Sequence, residues 1–150
     1  MTVKQLSVFL ENKPGTLTEF CKLLNHNQID MRALSVADSE DFGILRIIVD
    51  DSYKAACVLK EAGYVLSITP VLAIQIADKP GSLMAVLDIL AEHSINLEYC
   101  YAFTARKENY AYMILRVADN EKAVEVLTSK GIKLICQSEL SQVFGDSPLQ

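Results

Sequence analysis

Laid on itself at an offset of 66 residues, the sequence repeats. Leu6-Ser7-Val8-Phe9-Leu10-Glu11-Asn12-Lys13-Pro14-Gly15-Thr16-Leu17 falls on Leu72-Ala73-Ile74-Gln75-Ile76-Ala77-Asp78-Lys79-Pro80-Gly81-Ser82-Leu83, and Ile29-Asp30-Met31 on Ile95-Asn96-Leu97. A two-residue insertion then moves the offset to 68, where Leu45-Arg46-Ile47-Ile48-Val49 matches Met113-Ile114-Leu115-Arg116-Val117, Leu59 matches Leu127, and Gly63 matches Gly131. A duplication restricts the fold more than any single motif. Whatever one copy forms the other must form too, and each copy, at under half of the 150 residues, is near the lower limit for an independent core.

Both copies read alike as elements. The opening run alternates, with Leu6, Val8 and Leu10, or Leu72, Ile74 and Ile76, on one face, which makes a strand with one side toward a core. A Lys-Pro-Gly turn stops it. Leu17, Phe20, Cys21 and Leu24, or Leu83, Val86, Leu87 and Leu90, then fall at helical spacing. The polar segments 25–28 and 92–94 lead into a second strand that begins at Ile29 or Ile95, and hairpin turns follow near residues 38–42 and 106–109. The third strand, 43–50 or 110–118, is β-branched and aliphatic enough to be central. Asp51 and Asp119 are N-caps for a second helix with core positions Ala55, Val58, Leu59 and Ala62, or Ala123, Val126 and Leu127, which stops at Gly63 or Gly131. A last strand, 64–69 or 132–140, completes a β-α-β-β-α-β order. The expectation is an α+β chain of two ferredoxin-like units, 1–69 and 70–143, with helices on one face of an antiparallel sheet and a frayed tail at 144–150. Only Thr69-Pro70 joins the units, which implies side-by-side pairing.

Composition excludes several classes. Apolar residues are 51% and charged residues 22%, enough to bury a core and too little charge for disorder. Fourteen basic against nineteen acidic residues leave a net charge of −5 with no basic block, which argues against nucleic acid. Polar residues interrupt every apolar stretch short of the roughly 18 needed to span a bilayer, and the N-terminus lacks a signal peptide's pattern, so the expected location is cytoplasmic and away from membranes. Cys21, Cys57, Cys100 and Cys136 lack the close spacing of metal or redox motifs and read as buried small apolar residues.

The repeated turn carries the chemistry. It delivers a strand to a helix N-terminus, where the first N–H groups have no intrahelical partner and the helix dipole is positive. Gly opens the backbone to close approach, Pro sets the turn, and Asn12 or Asp78 places an oxygen at the same mouth. A zwitterion suits this arrangement, its carboxylate on the N–H groups and its ammonium on the oxygen. The same residues also spell ordinary turn chemistry, with Thr16 and Glu19 forming a capping box that needs no ligand. Recurrence in both copies favours the site.

The Asn/Asp-Lys-Pro-Gly-x-Leu turn, the helix after it, the Ile-Asp/Asn-Met/Leu start of the second strand and the β-α-β-β-α-β order together resemble the ACT domain in tandem, over residues 3–142. The resemblance implies a small-molecule binding module, most often for an amino acid, that regulates an enzyme. It also implies a ligand held between the strand-to-helix turn of one domain and the second strand of its neighbour. One site would then combine Asn12, Lys13, Pro14, Gly15, Thr16 and Leu17 with Asn96, Leu97, Glu98 and Tyr99. The other would combine Asp78, Lys79, Pro80, Gly81, Ser82 and Leu83 with Asp30, Met31, Arg32 and Ala33. Glu98, Tyr99 and Cys100 lean the ligand toward a polar or ring side chain such as histidine. No catalytic domain accompanies the repeat, so the chain reads as a free-standing sensor or as a subunit acting on a separate metabolic enzyme.

Rival functions lack their residues. No catalytic motif, metal-ligand cluster or cofactor loop is present, and His26 and His93 fall at helix ends, where solvated positions are ordinary. Asp38, Glu40 and Asp41 read as a solvated hairpin tip. An RNA-binding unit of this topology needs aromatic residues in a basic third-strand motif, and a metal chaperone needs Cys-x-x-Cys in the first turn. A protein-interaction module stays open, because Phe9, Ile44, Ile48, Val71, Tyr112 and Ile114 make the face away from the helices apolar, which implies cover by a second copy in a homodimer. Tyr99, Tyr101, Tyr110 and Tyr112 cluster on the second hairpin, for sheet packing or for ligand contact. The first site pairs two amides and the second two carboxylates, so unequal affinities are expected. Calorimetry on Asn12→Ala and Asp78→Ala variants checks this, and identical effects count against it.

Overall fold

The computed structural model describes residues 1–38, 41–103, 109–140 and 143. In chain order it contains β1 (Val3–Glu11), α1 (Thr16–His26), β2 (Met31–Asp38), β3 (Phe42–Val49), α2 (Ser52–Glu61), β4 (Leu66–Ala77), α3 (Ser82–Glu92), β5 (Leu97–Phe103), β6 (Tyr110–Val117), α4 (Asn120–Ser129) and β7 (Lys133–Ile135). The chain divides into two units, one of residues 4–69 and one of Met1–Val3 with the chain from Pro70 onward. Each unit has the β-α-β-β-α-β order, so the protein is α+β and built of two ferredoxin-like units.

In the first unit β1 pairs antiparallel with β3, through Leu6 opposite Ile47 and Val8 opposite Leu45, and β3 pairs antiparallel with β2. The Phe9 N–H donates to the Val65 carbonyl at 3.0 Å, holding the start of β4 beside β1. The two-residue period puts Leu6, Val8, Leu10, Leu45, Ile47 and Val49 on one face, and Phe20, Leu24, Ala55 and Leu59 from the two helices pack onto it. The rings of Phe20 and Tyr64 meet edge to face at 5.5 Å. Each buried leucine or phenylalanine contributes about 1.5–3 kcal/mol, so this single layer accounts for the unit's cohesion.

The second unit repeats the plan. β4 lies between β6 and β7, with Leu72 opposite Leu115 and Ile74 opposite both Met113 and Leu134, and β5 edges the sheet beyond β6. Leu72, Ile74, Leu115 and Val117 are closed by Val86 and Leu90 of α3 and by Ala123 and Leu127 of α4. The two second helices start as the sequence implies. The Asp51 carboxylate accepts from the Lys54 N–H at 2.9 Å, and that of Asp119 from the Lys122 N–H at 3.0 Å.

Several expectations are corrected. Ile29 and Ile95 do not begin strands. Their N–H groups donate to the Leu24 and Leu90 carbonyls, closing the ends of α1 and α3, and the strands start two residues later. β4 runs through Thr69-Pro70 as one strand of 12 residues. Extended backbone accepts proline's fixed φ. The last strand of the second copy ends at Ile135, where the Glu139 carboxylate accepts from the Cys136 N–H at 2.9 Å and starts a 3-10 turn. No cysteine is fully buried, and Cys57 and Cys100 are exposed on α2 and on the edge strand β5. Leu17 and Ala62, read as core positions, lie exposed at helix ends.

The sequence assigns six apolar residues to the face away from the helices. Ile48, Val71, Tyr112 and Ile114 are buried within the single chain, while Ile44 is half-buried and only Phe9 of the six is exposed, at 49%. Tyr112 packs its ring 5.3 Å from Phe103 and donates its hydroxyl to Gln75 Oε1 at 3.2 Å, so sheet packing accounts for it. Glu40, the residues 104–108 of the second hairpin and the tail 144–150 lie outside the described residues.

The Cys136 N–H, and then the Cys136 thiol, hold the Glu139 carboxyl below its ordinary pKa. A depressed folded-state pKa contributes stability that is present above the usual glutamate range and is lost as pH falls through the depressed value. The melting temperature of Glu139→Gln therefore falls below wild type at pH 7, and the gap closes on acidification. A gap independent of pH would contradict this role.

Candidate functional site

The two strand-to-helix turns are built by the same bonds. The Asn12 N–H donates to the Asp41 carbonyl at 3.0 Å and the Asp78 N–H to that of Asn109 at 2.9 Å, tying each turn to the hairpin beside it. Lys13 and Lys79 each donate to the residue two before, and Thr16 and Ser82 to the lysine carbonyl three before. Gly15 and Gly81 then enter the helices at φ +86° and +87°, a left-handed conformation that costs a residue with a Cβ about 1–2 kcal/mol.

This start leaves α1 and α3 without a side-chain cap. The capping box read from Thr16 and Glu19 does not form, since a left-handed N-cap glycine has no side chain and Thr16 Oγ1 turns back to the Lys13 carbonyl at 3.1 Å. The first helical bonds are those of Glu19 to Gly15 and Ala85 to Gly81, so the N–H groups of Leu17, Thr18, Leu83 and Met84 have no intrahelical acceptor. The contrast lies within the same chain. α2 and α4 close their first turns with Asp51 and Asp119, whereas α1 and α3 present theirs.

Each turn borders a cleft inside its own unit. In the first, of about 410 Å³, Lys13, Thr16 and Glu19 face Phe9, Leu10, Glu11 and Phe42 across Gly63, Tyr64 and Val65. In the second, of about 600 Å³, Lys79, Pro80, Gly81, Ser82 and Ala85 face Gln75, Ile76, Ala77 and Tyr110 across Gly131, Ile132 and Lys133. These volumes are in the range of small-molecule sites, roughly 300–1,000 Å³. The walls correspond position by position under the sequence repeat. In the first cleft the Lys13 ammonium pairs with Glu11, which raises its pKa, and burial followed by the Glu19 charge raises that of the Tyr64 phenol.

Lys13, Thr16, Lys79, Pro80, Gly81 and Ser82 thus line clefts, whereas Asn12, Pro14, Gly15 and Asp78 in the turns, and Leu17 and Leu83 at the starts of α1 and α3, form no cleft walls. The second-strand residues stand elsewhere in their units. Asp30 pairs with Arg32 at 3.1 Å at the start of β2, beside Met31, and Ala33 is buried. Glu98 pairs with Arg116 at 3.3 Å next to Tyr99 on β5, and Asn96 and Leu97 border a separate hollow of about 490 Å³ with Leu87, Leu90 and Ile95. The walls at 63–65, 131–133, Phe42 and Tyr110 are absent from the sequence-derived site. The repeated Gly63 and Gly131 were the available signal. Among the described residues no group of three His, Cys, Asp or Glu is placed to hold a metal, and no helix is long and apolar enough to cross a membrane.

Residues 1–144 match the family model described as an ACT domain pair. A Bacteroides thetaiotaomicron protein of known crystal structure is 41% identical, over 93% of this chain and 96% of that one, with a TM-score of 0.88. The ligand-free regulatory subunit of aspartate kinase from Thermus thermophilus aligns over 84% of this chain and 90% of its own, at 15% identity and a TM-score of 0.62. Aspartokinase alpha and beta subunits align over 85% and 95%, at 16% identity and a TM-score of 0.54. At such identities the likeness is one of fold. None of the curated proteins matches the sequence.

Nothing lies within 4 Å of a Cβ built on Gly15 or Gly81, so an alanine there meets strain in φ and no clash. Urea denaturation of Gly15→Ala and Gly81→Ala is expected to show a loss of about 1 kcal/mol each, with a smaller loss for asparagine. Losses of several kcal/mol would mean that the turns tolerate no side chain.

Proposed function

Because the chain belongs to the ACT domain family and carries the domain as a pair, we propose that it is a regulatory protein that binds a free amino acid at its strand-to-helix turns. The observation that carries this reading is the selective absence of caps. In both copies the helix after the first strand starts on a left-handed glycine with unused N–H groups beside a cleft, while the second helix of each copy is capped by aspartate. An α-carboxylate satisfies those N–H groups, and the helix dipole adds on the order of 0.3–2 kcal/mol. Asn12 and Asp78, which precede the lysines, supply oxygens for the α-ammonium group, and the cleft receives the side chain.

The reading is regulatory rather than catalytic. Among the described residues the clefts contain hydroxyl, ammonium and carboxylate groups but no nucleophile paired with a base. A ligand that binds the folded units shifts their stability and, through that coupling, the state of a partner enzyme. The fold shared with the regulatory subunit of aspartate kinase supports a role of this kind.

A thermal-shift screen of the twenty amino acids is the direct check. A ligand at about one hundred times its dissociation constant stabilises by roughly 2.7 kcal/mol, which is several degrees for domains of this size. No response to any of the twenty overturns this reading in favour of a protein-interaction module.

A further inference from the structure

The two clefts share a backbone and differ in charge. Glu11 and Glu19 in the first are replaced at the matching positions by Ala77 and Ala85 in the second, and Val65 is replaced by Lys133. The first cleft therefore sets two carboxylates against one ammonium group, and that ammonium group, on Lys13, is already paired with Glu11. The second holds Lys79 and Lys133 with no carboxylate among its described wall residues. Neither lysine enters an ion pair among the described residues. Glu139, which feels the Lys133 charge, is held by the Cys136 N–H, and Asp78 lies in the turn outside the cleft wall.

We infer that the duplication has produced two clefts of different ligand class, and that the second selects an amino acid with an anionic side chain. This rests on the proposed amino-acid binding. An α-carboxylate on the Leu83 and Met84 N–H groups leaves the side chain directed into a cleft where a second carboxylate meets two ammonium groups. In the first cleft the same side chain meets Glu19 and the Glu11-Lys13 pair, among the apolar walls of Phe9, Phe42 and Val65. Like charges exclude it there, and opposite charges hold it in the second.

Matched pairs test this, since glutamate and glutamine, or aspartate and asparagine, differ chiefly in side-chain charge. Calorimetry with the full chain is expected to show tighter binding of the acid than of its amide. Lys133→Val, which installs the first copy's residue, weakens the acid about fivefold and leaves the amide little changed. Ala85→Glu does the same by supplying the first copy's carboxylate. In the first cleft, Glu19→Ala combined with Val65→Lys creates a second acid-preferring site. Val65 and Lys133 are both exposed, so their exchange leaves the cores intact, and far-UV circular dichroism confirms folding. Acid and amide binding alike, or Lys133→Val weakening both equally, overturns the inference. So does inorganic phosphate displacing the acid at equal concentration, which would mark a bare anion site. If none of the four binds while another amino acid responds in the thermal screen, this inference fails and the amino-acid reading stands. If all twenty fail, both fall.

Discussion

Burying Leu6, Val8 and Leu10 beneath Phe20 and Leu24 requires the chain to pass from the end of a strand to the start of a helix on one face of the same sheet within residues 12–15. The second copy imposes the same demand on residues 78–81, so that Leu72, Ile74 and Ile76 lie beneath Val86 and Leu90. A connection so short works only with a left-handed residue at its end, and glycine supplies it at least cost. The uncapped helix start follows from that geometry. The same interaction that makes each core thus exposes the N–H groups that make a ligand site plausible, and stability and chemistry share a turn.

Duplication separates the two roles. Positions that hold the fold have kept their character across the copies: Leu6 and Leu72, Leu24 and Leu90, Leu59 and Leu127 are all buried. Cleft walls have not been held to that standard. Phe9 corresponds to Gln75, Glu19 to Ala85 and Val65 to Lys133, because a side chain that meets solvent contributes little to the core and is free to differ between the copies. A second copy of a stable unit can acquire a new binding preference without a new fold.

Much of this was legible in the residues. Two-residue alternation located β1 and β4, β-branched and aliphatic content located β3 and β6, and helical spacing placed Phe20, Leu24, Val86 and Leu90 at the core, because each signal is local to its segment. Asp51 and Asp119 read correctly as caps for the same reason: an N-cap bond spans three residues. Errors arose where a distant partner decides. Ile29 and Ile95 look like strand residues, yet their N–H groups close helix ends. The last strand looks as if it continues through residues 136–140, and one bond from the Cys136 N–H to the Glu139 carboxylate turns them instead. The four cysteines looked like core residues only because nothing in sequence says which face of α2 or β5 meets solvent.

By itself the sequence determined the duplication, the order of elements, the two cores and the strand-to-helix turn that each copy repeats, since all of these depend on spacing within a few tens of residues. Only the tertiary structure decided that Gly63 to Val65 and Gly131 to Lys133 close over those turns, and that Glu19 and Lys133 help set the charge of the resulting clefts. Residues some fifty positions apart in sequence meet there because the last strand of each unit is laid beside the first by pairing across the sheet, and no local periodicity records that pairing.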